Sequence, residues 1–78
     1  MFLEVEKAKY LSDYQVFLEF NDGSSGTVDF KDLLYGGMFE PLKDRQLFSQ
    51  VYCDHEIGTI CWPNGADLAP TYLKEHLH

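Results

Sequence analysis

The stretch from Trp62 to Pro70, with the sequence WPNGADLAP, constrains the fold more than any other part of the chain. A proline has no N–H to offer a neighbouring strand and forces the residue before it into an extended conformation, so Trp62 is expected to end a strand. Asn64-Gly65 is the dipeptide that best accepts positive φ, which predicts that the chain reverses there. The sequence therefore predicts a tight turn after an extended segment. We call residues 62–67 the WPNG loop.

A short helix is predicted after this loop. Asp67 is a candidate acceptor for the free N–H groups of the first helical turn, and Pro70 suits the first helical position. We expect the helix to run from about residue 70 to residue 77, where Leu73 and Leu77 share one face. The chain should therefore end in a helix with one apolar side.

Alternating apolar residues predict three antiparallel strands within residues 2–30. In the first strand, the apolar positions change side between Val5 and Ala8, which predicts a bulge or a strand end near Lys7. A loop is expected over residues 21–26, between the second and third strands. The apolar residues expected on the shared buried face are Tyr14, Val16, Leu18, Phe20, Val28 and Phe30.

Two short helices are predicted in the middle of the chain. Asp29 is a candidate cap for a single helical turn over residues 30–35, which Gly36-Gly37 would stop. Asp44 is a candidate cap for a second helix over residues 45–50.

A β-hairpin is predicted between this second helix and the WPNG loop. If residues 55–58 form a four-residue hairpin loop, Asp54 lies opposite Thr59 and Cys53 opposite Ile60. The same register places Tyr52 and Cys61 on the reverse face of the hairpin.

The order of predicted elements indicates an α+β fold. Strands whose apolar residues alternate need cover on one face only, and the helices provide it. We therefore expect a two-layer sandwich with a mostly antiparallel sheet of about five strands. Its 78 residues are expected to form one domain, residues 1–78.

The charge of the chain disfavours direct binding to nucleic acid. Thirteen acidic residues against six basic ones give a formal charge of −7, and a phosphate backbone would be repelled. This negative charge would favour a basic partner, or it would keep the protein soluble. No apolar stretch approaches the ~20 residues that span a bilayer, and the start lacks a basic region followed by a hydrophobic one. No membrane association is expected, and the protein is expected to be cytoplasmic.

No catalytic, cofactor or metal site is predicted from the residue pattern. Cys53 and Cys61 are separated by seven residues, which is not a zinc spacing, and the hairpin register points them to opposite faces. Asp54 and His55 follow Cys53 directly, but neighbours on a strand point apart, which argues against a nucleophilic triad. The chain is therefore expected not to be an enzyme.

Several segments of the chain occur together in one known family. They are F-x-D-G at Phe20–Gly23, VDF at Val28–Phe30, MFEPLKD at Met38–Asp44, LF at Leu47-Phe48, and G-T-I-x-WPNGADLAP at Gly58–Pro70. With them, the chain resembles the bacterial domain of unknown function family 2442 over nearly its whole length.

The resemblance implies a two-layer α/β domain without established catalytic residues. Some members continue into a helix-turn-helix domain, and others lie beside a second small protein in arrangements similar to toxin–antitoxin pairs. Members commonly place an acidic residue after the equivalent of Pro70, whereas Thr71 and Tyr72 follow here. An acidic contact at the start of the last helix is therefore not expected.

Three hypotheses for function remain open. The first is a non-enzymatic protein-interaction domain, the acidic member of a two-protein system, which uses outward aromatics such as Phe17, Tyr52 and Tyr72. The second is small-ligand binding or catalysis at the WPNG loop. The third is mimicry of DNA by an array of carboxylates. Self-association through an exposed strand edge is also open. The candidate loop-site residues are Trp62, Asn64, Gly65 and Asp67.

Overall fold

The fold is α+β, as the sequence predicts. The computed structural model describes residues 2–78, in which all strand pairs are antiparallel. The strands form two sheets, of order β1-β2-β3 and β4-β5, rather than one sheet of five strands. In chain order the elements are β1 (Val5–Ser12), β2 (Gln15–Phe20), β3 (Ser25–Asp29), a 3₁₀ helix (Gly37–Lys43), α1 (Arg45–Phe48), β4 (Tyr52–Asp54), β5 (Thr59–Cys61) and α2 (Pro70–Glu75).

The three-stranded sheet follows the predicted pattern closely. Its register shifts between Val5 and Lys7, which confirms the predicted bulge. Val16, Leu18 and Phe20 are buried on alternate positions of β2, because successive side chains of a strand point to opposite faces. The loop between β2 and β3 is shorter than predicted, since β3 already begins at Ser25.

The hairpin has the predicted register. Tyr52 pairs with Cys61, Cys53 with Ile60, and Asp54 with Thr59. All three residues of β5 are buried, although Tyr52 on β4 is 47% exposed. The difference arises because the WPNG loop folds back over β5, where Cys61 and Asp67 form an isolated antiparallel bridge.

The helical turn predicted over residues 30–35 is wrong. Residues 31–33 form only a hydrogen-bonded turn. The Asp29 carboxylate accepts a hydrogen bond from the Lys31 N–H at 3.0 Å, so this aspartate shapes a turn and starts no helix. Helix nucleation is costly in so short a segment. A 3₁₀ helix, which the pattern did not predict, begins instead at Gly37.

The predicted cap of α1 is confirmed, whereas that of α2 is wrong. The Asp44 side chain accepts from the Gln46 N–H at 3.0 Å at the start of α1. The residue before α2 is Ala69, which provides no side-chain cap, so Asp67 does not cap this helix. Pro70 does occupy the first turn, but α2 ends at Glu75, two residues before the predicted end.

The hydrophobic core lies between the inner face of the β1–β3 sheet and the helices. Phe48 on α1 is fully buried and packs against Tyr14 from the sheet side, with ring centroids 5.4 Å apart. The Tyr14 hydroxyl also donates to the Lys43 carbonyl at the end of the 3₁₀ helix. Leu42 and Leu73 bring the 3₁₀ helix and α2 into the same cluster. Each helix therefore covers part of one core.

The last residues of the chain pair with the free edge of β3. The His78 N–H donates to the Thr27 carbonyl at 2.8 Å, and the Thr27 N–H donates to the His78 carbonyl at 3.4 Å. Gly26 permits this approach, since a Cβ there would lie 2.9 Å from the His78 carbonyl oxygen. An ion pair between Lys74 and Asp22 fastens α2 to the turn between β2 and β3.

Candidate functional site

The WPNG loop reverses the chain as the sequence predicts. The Gly65 N–H donates to the Trp62 carbonyl at 2.9 Å, and the Trp62 N–H donates to the Ala66 carbonyl at 3.0 Å. Gly65 has a φ of 91°, which a residue with a side chain rarely adopts. The Asn64 side-chain oxygen accepts from the Ala66 N–H at 3.0 Å and closes the turn.

The indole of Trp62 belongs to the core and not to the surface of the loop. Trp62 is 1% exposed, and its rings pack against Phe30 and Phe48 at centroid distances of 5.9 and 5.6 Å. The indole N–H donates to the Phe48 carbonyl at 2.9 Å, so the only polar atom of the side chain is satisfied inside the fold. Of the four candidate loop-site residues, Trp62 is therefore closed to any ligand or partner.

Asn64 joins the loop to the 3₁₀ helix. Its side-chain amide N–H donates to the Met38 carbonyl at 2.9 Å, 26 residues away in sequence. A Cβ at Gly65 would lie 3.0 Å from the Met38 terminal methyl carbon, so Met38 lies close over this glycine. Both polar ends of the Asn64 amide are used within the fold. This residue positions the loop and offers little to a ligand.

A shallow groove lies where the loop meets the 3₁₀ helix, and we call it the WPNG groove. Its volume is about 430 Å³, and most of its lining is apolar. Two large apolar side chains beside it face solvent: Tyr35 is 68% exposed and Met38 is 48% exposed. The lining residues are Tyr35, Gly36, Gly37, Met38, Phe39, Gly65, Ala66 and Asp67.

The electrostatics of the WPNG groove are set by one carboxylate. Asp67 is the only acidic side chain in the lining, and no lysine, arginine or histidine lines it. The ion pairs within residues 2–78 do not include Asp67. Tyr72 lies outside this lining; burial raises the pKa of its phenol, and the nearby Tyr35 and Glu75 raise it further. The groove therefore carries a net negative charge.

The two cysteines show no sign of an activated nucleophile. Cys53 and Cys61 are both free thiols. The Cys53 thiol donates to the Val5 carbonyl at 3.2 Å. Burial raises the pKa of the Cys53 thiol, with smaller contributions from Cys61 and Asp54. Because the thiolate is the reactive form, this shift makes Cys53 less nucleophilic at neutral pH. Residues 2–78 contain no group of three or more side chains that could hold a metal ion.

The outward aromatics named in the sequence prediction are separated in the fold. Tyr52 is 47% exposed on the hairpin, whereas Phe17 is half-buried on β2. Tyr72 is also half-buried, with its ring 4.4 Å from the His76 ring. Sequence reasoning missed Tyr35, which is more exposed than any of them. The sequence signal beside it is the pair of glycines that follows, both of which have positive φ.

Two other shallow cavities in residues 2–78 differ from the WPNG groove in charge. Each contains basic as well as acidic side chains, so neither presents charge of one sign. One is lined by Glu6, Lys7, Ala8, Lys9, Phe17, Glu19, Cys53 and His55, and the other by Asp13, Tyr14, Gln15, Asp29, Lys31 and Arg45.

The fold and this site define a small α+β domain with an open apolar groove beside a WPNG turn. The profile of the family described as "Protein of unknown function (DUF2442)" matches residues 5–78, and the chain belongs to this family. No curated protein and no solved structure matches the chain. Within residues 2–78, every helix is too short or too polar to cross a bilayer.

Proposed function

We propose that this protein is a non-catalytic protein-interaction domain whose contact surface is the WPNG groove. The observation that carries the proposal is the exposure of Tyr35 and Met38 beside an apolar depression. Aromatic and methionine side chains are enriched where proteins bind one another, and a few such anchors supply most of the binding energy. A groove with apolar flanks that face solvent is suited to this use.

The chemistry of the groove supports binding over catalysis. The Asn64 side-chain amide donates to the Met38 carbonyl and accepts from the Ala66 N–H. Asp67 is exposed, and a solvated carboxylate lacks the burial that prepares a general acid or base for work near neutral pH. The proposal therefore assigns the groove a contact role.

The setting of this interaction is a two-protein system in the bacterial cytoplasm. In this proposal the chain is the acidic member, and its partner is the product of the neighbouring gene, in an arrangement similar to a toxin–antitoxin pair. The net charge of −7 supports association with a partner of opposite charge.

The test is a binding measurement with the purified product of the neighbouring gene, at low and at high salt. In one variant, Tyr35→Ser and Met38→Ser remove both exposed anchors of the groove. In a matched control, Tyr52→Ser and Ile57→Ser remove two side chains that are 47% and 53% exposed at the hairpin. We expect the first pair to weaken binding roughly thirtyfold, as for one interface hot spot, and the control pair to change it less than about threefold. Equal effects of the two pairs, or no binding at any salt concentration, would contradict the proposal.

A second candidate function is the binding of a small ligand in the same groove. Its volume of about 430 Å³ lies within the ~300–1,000 Å³ of small-molecule sites, which favours this candidate. Thermal shift against a library of metabolites and metals separates the two functions. A stabilisation that Asp67→Ala or Asn64→Ala abolishes, with the fold intact, would replace the interaction proposal with ligand binding.

A further inference from the structure

We propose that the segment bound in the WPNG groove is basic and places an arginine side chain between the Tyr35 ring and the Asp67 carboxylate. This inference rests on the proposed function and names the chemistry of the partner. It is carried by the charge of the groove, by the shape of its floor and by the exposure of Tyr35.

The charge of Asp67 is unbalanced within the groove. Internal ion pairs use Lys43 with Glu40 and Arg45 with Asp13, each at 3.0 Å, and Lys74 with Asp22. None of these cations lines the WPNG groove, so Asp67 meets no neutralising charge there. The whole chain has a net charge of −7, which has the same sign as the charge of the Asp67 carboxylate. A cationic side chain that enters the groove is therefore attracted both locally and at a distance.

The floor of the WPNG groove is apolar. Gly36 and Gly37 have no atom within 4 Å of the position that a Cβ would take, so the space above this backbone is open. Met38 and Ala66 complete a floor without charged groups. The aliphatic part of a long basic side chain packs on such a surface while its charged end reaches a polar group. A short cation without this stem would leave the floor uncovered.

The exposed Tyr35 ring and the Asp67 carboxylate favour arginine over lysine. Tyr35 is 68% exposed, so much of its side chain is accessible to a cation. A guanidinium is planar, stacks on an aromatic face, is weakly hydrated and pairs with a carboxylate through two parallel N–H groups. An ammonium group is a strongly hydrated point charge and makes only part of these contacts. The ring and the carboxylate of one groove together match the guanidinium better.

The other regions of the molecule fit a basic segment less well. The two other cavities described above hold lysine or arginine side chains beside their carboxylates, so they lack an unbalanced negative charge. The edge of β3 is filled at Thr27 by His78. The WPNG groove alone among these regions combines an open apolar floor, an exposed ring and an unpaired carboxylate.

The test uses three fluorescein-labelled peptides of one amphipathic sequence with leucine as the apolar residue. The variable positions hold arginine, lysine or citrulline, which has the shape of arginine without its charge. Fluorescence anisotropy gives the Kd for the full chain and for Asp67→Asn, Tyr35→Leu and the control Asp32→Asn. Asp32 is exposed, lies outside the groove lining, and loses the same formal charge as Asp67 on this change.

We expect the arginine peptide to bind about tenfold more tightly than the citrulline peptide and about threefold more tightly than the lysine peptide. Asp67→Asn and Tyr35→Leu should each weaken arginine-peptide binding about two- to fivefold, whereas Asp32→Asn should change it less than about 1.5-fold. Amide chemical shifts of Gly36, Gly37 and Gly65 should move on binding of the arginine peptide.

Three outcomes would overturn this inference and leave the proposed function standing, provided that the neighbouring gene product still binds through Tyr35 and Met38. They are equal binding of the arginine and citrulline peptides, equal effects of Asp67→Asn and Asp32→Asn, and no binding of any peptide. Self-association that Tyr35→Leu abolishes would assign the groove to a second copy of this chain and overturn it as well. If the substitutions at Tyr35 and Met38 do not change the affinity for the gene product, the proposed function itself is contradicted.

Discussion

Between residues 5 and 29 the chain is held by the pairing of three strands. Between residues 37 and 70 strand pairing is limited to the short β4–β5 hairpin and the Cys61–Asp67 bridge, and single side chains that reach distant backbone make further links. In the first region, β2 pairs along both of its edges, and its inner face is buried by simple alternation. In the second region, the indole of Trp62 reaches Phe48, and the amide of Asn64 reaches Met38. The Thr59 hydroxyl likewise donates to the Leu68 carbonyl within this region.

This difference has an energetic consequence. A ladder of backbone hydrogen bonds survives most side-chain substitutions, because no rung depends on residue identity except through proline. A link made by one side chain is lost with that side chain, at a cost of about 0.5–1.5 kcal/mol for the hydrogen bond and more where a buried group is left unpaired. The region that carries the WPNG groove should therefore be the more sensitive to single substitutions.

The largest effect is expected for Trp62→Ala. Truncation of a buried tryptophan costs about 3–5 kcal/mol, and here it also removes one of two donors to the Phe48 carbonyl, which keeps only the Val51 N–H at 3.2 Å. Because a single core in a chain of 78 residues rarely supplies more than about 3–5 kcal/mol, the variant should be partly or wholly unfolded at room temperature. Urea denaturation followed by circular dichroism measures this, since the change removes the only tryptophan fluorophore.

The matched change in the sheet is Leu18→Ala, which should cost about 2–5 kcal/mol through lost packing alone. Trp62→Phe separates the two parts of the tryptophan effect, because it retains a ring without the N–H donor. If Trp62→Phe were as stable as the wild type, the side-chain link would be unimportant and the comparison would fail.

A second prediction tests the close approach at the β3 edge. Gly26→Val should push the end of the chain away, because the new Cβ would meet the His78 carbonyl oxygen at 2.9 Å. Overpacking of this kind costs about 1–3 kcal/mol, and the strand pairing itself should survive. Amide hydrogen exchange should accelerate at Thr27 and His78 but not within β2. Ser25→Val, on the same strand at an exposed position, is the control and should leave exchange at His78 unchanged.

A third prediction concerns the link between the WPNG loop and the 3₁₀ helix. Asn64→Ala removes the donor to Met38 and the acceptor for the Ala66 N–H. The expected loss is about 1–2 kcal/mol from two hydrogen bonds. Asn64→Asp retains the acceptor and should cost about half as much. Chemical denaturation gives both values, and equal stability of the two variants would indicate that the donor to Met38 contributes nothing.

The smallest effect is expected at the ion pair between α2 and the β2–β3 turn. The Lys74 ammonium holds the pKa of the Asp22 carboxyl well below its usual range, and hydrogen bonds from Ser24 lower it further. The unfolded carboxyl has a pKa of about 3.9. Since the folded pKa is the lower one, the stabilisation is fully present above the unfolded pKa and is lost as pH falls through it toward the folded value.

Unfolding at pH 7 and at pH 3 therefore distinguishes Asp22→Asn from the wild type. The variant should be less stable than the wild type at pH 7, and the difference should shrink at pH 3. Asp32→Asn, which removes a carboxylate outside the ion pairs of residues 2–78, is the control. A constant difference between Asp22→Asn and the wild type at both pH values would show that the ion pair does not act through this titration.

Short-range patterns in the sequence determined much of the fold. Alternation predicted the inner face of β2 and the bulge near Lys7, because a strand reverses its side-chain direction at every residue. Turn chemistry predicted the reversal at Asn64-Gly65 and the register of the hairpin, and Asp44 predicted the start of α1. Each of these signals acts between residues that are neighbours in the chain, so the sequence alone contains it.

Only the tertiary structure decided how these pieces meet. The strands divide between two sheets, Trp62 lies in the core and so leaves the loop surface, and Asp67 pairs with β5 instead of capping α2. The WPNG groove arises where the loop packs against a 3₁₀ helix 26 residues earlier in the chain. No local pattern encodes such a contact, because it depends on which apolar surfaces remain to be covered once the sheet has formed.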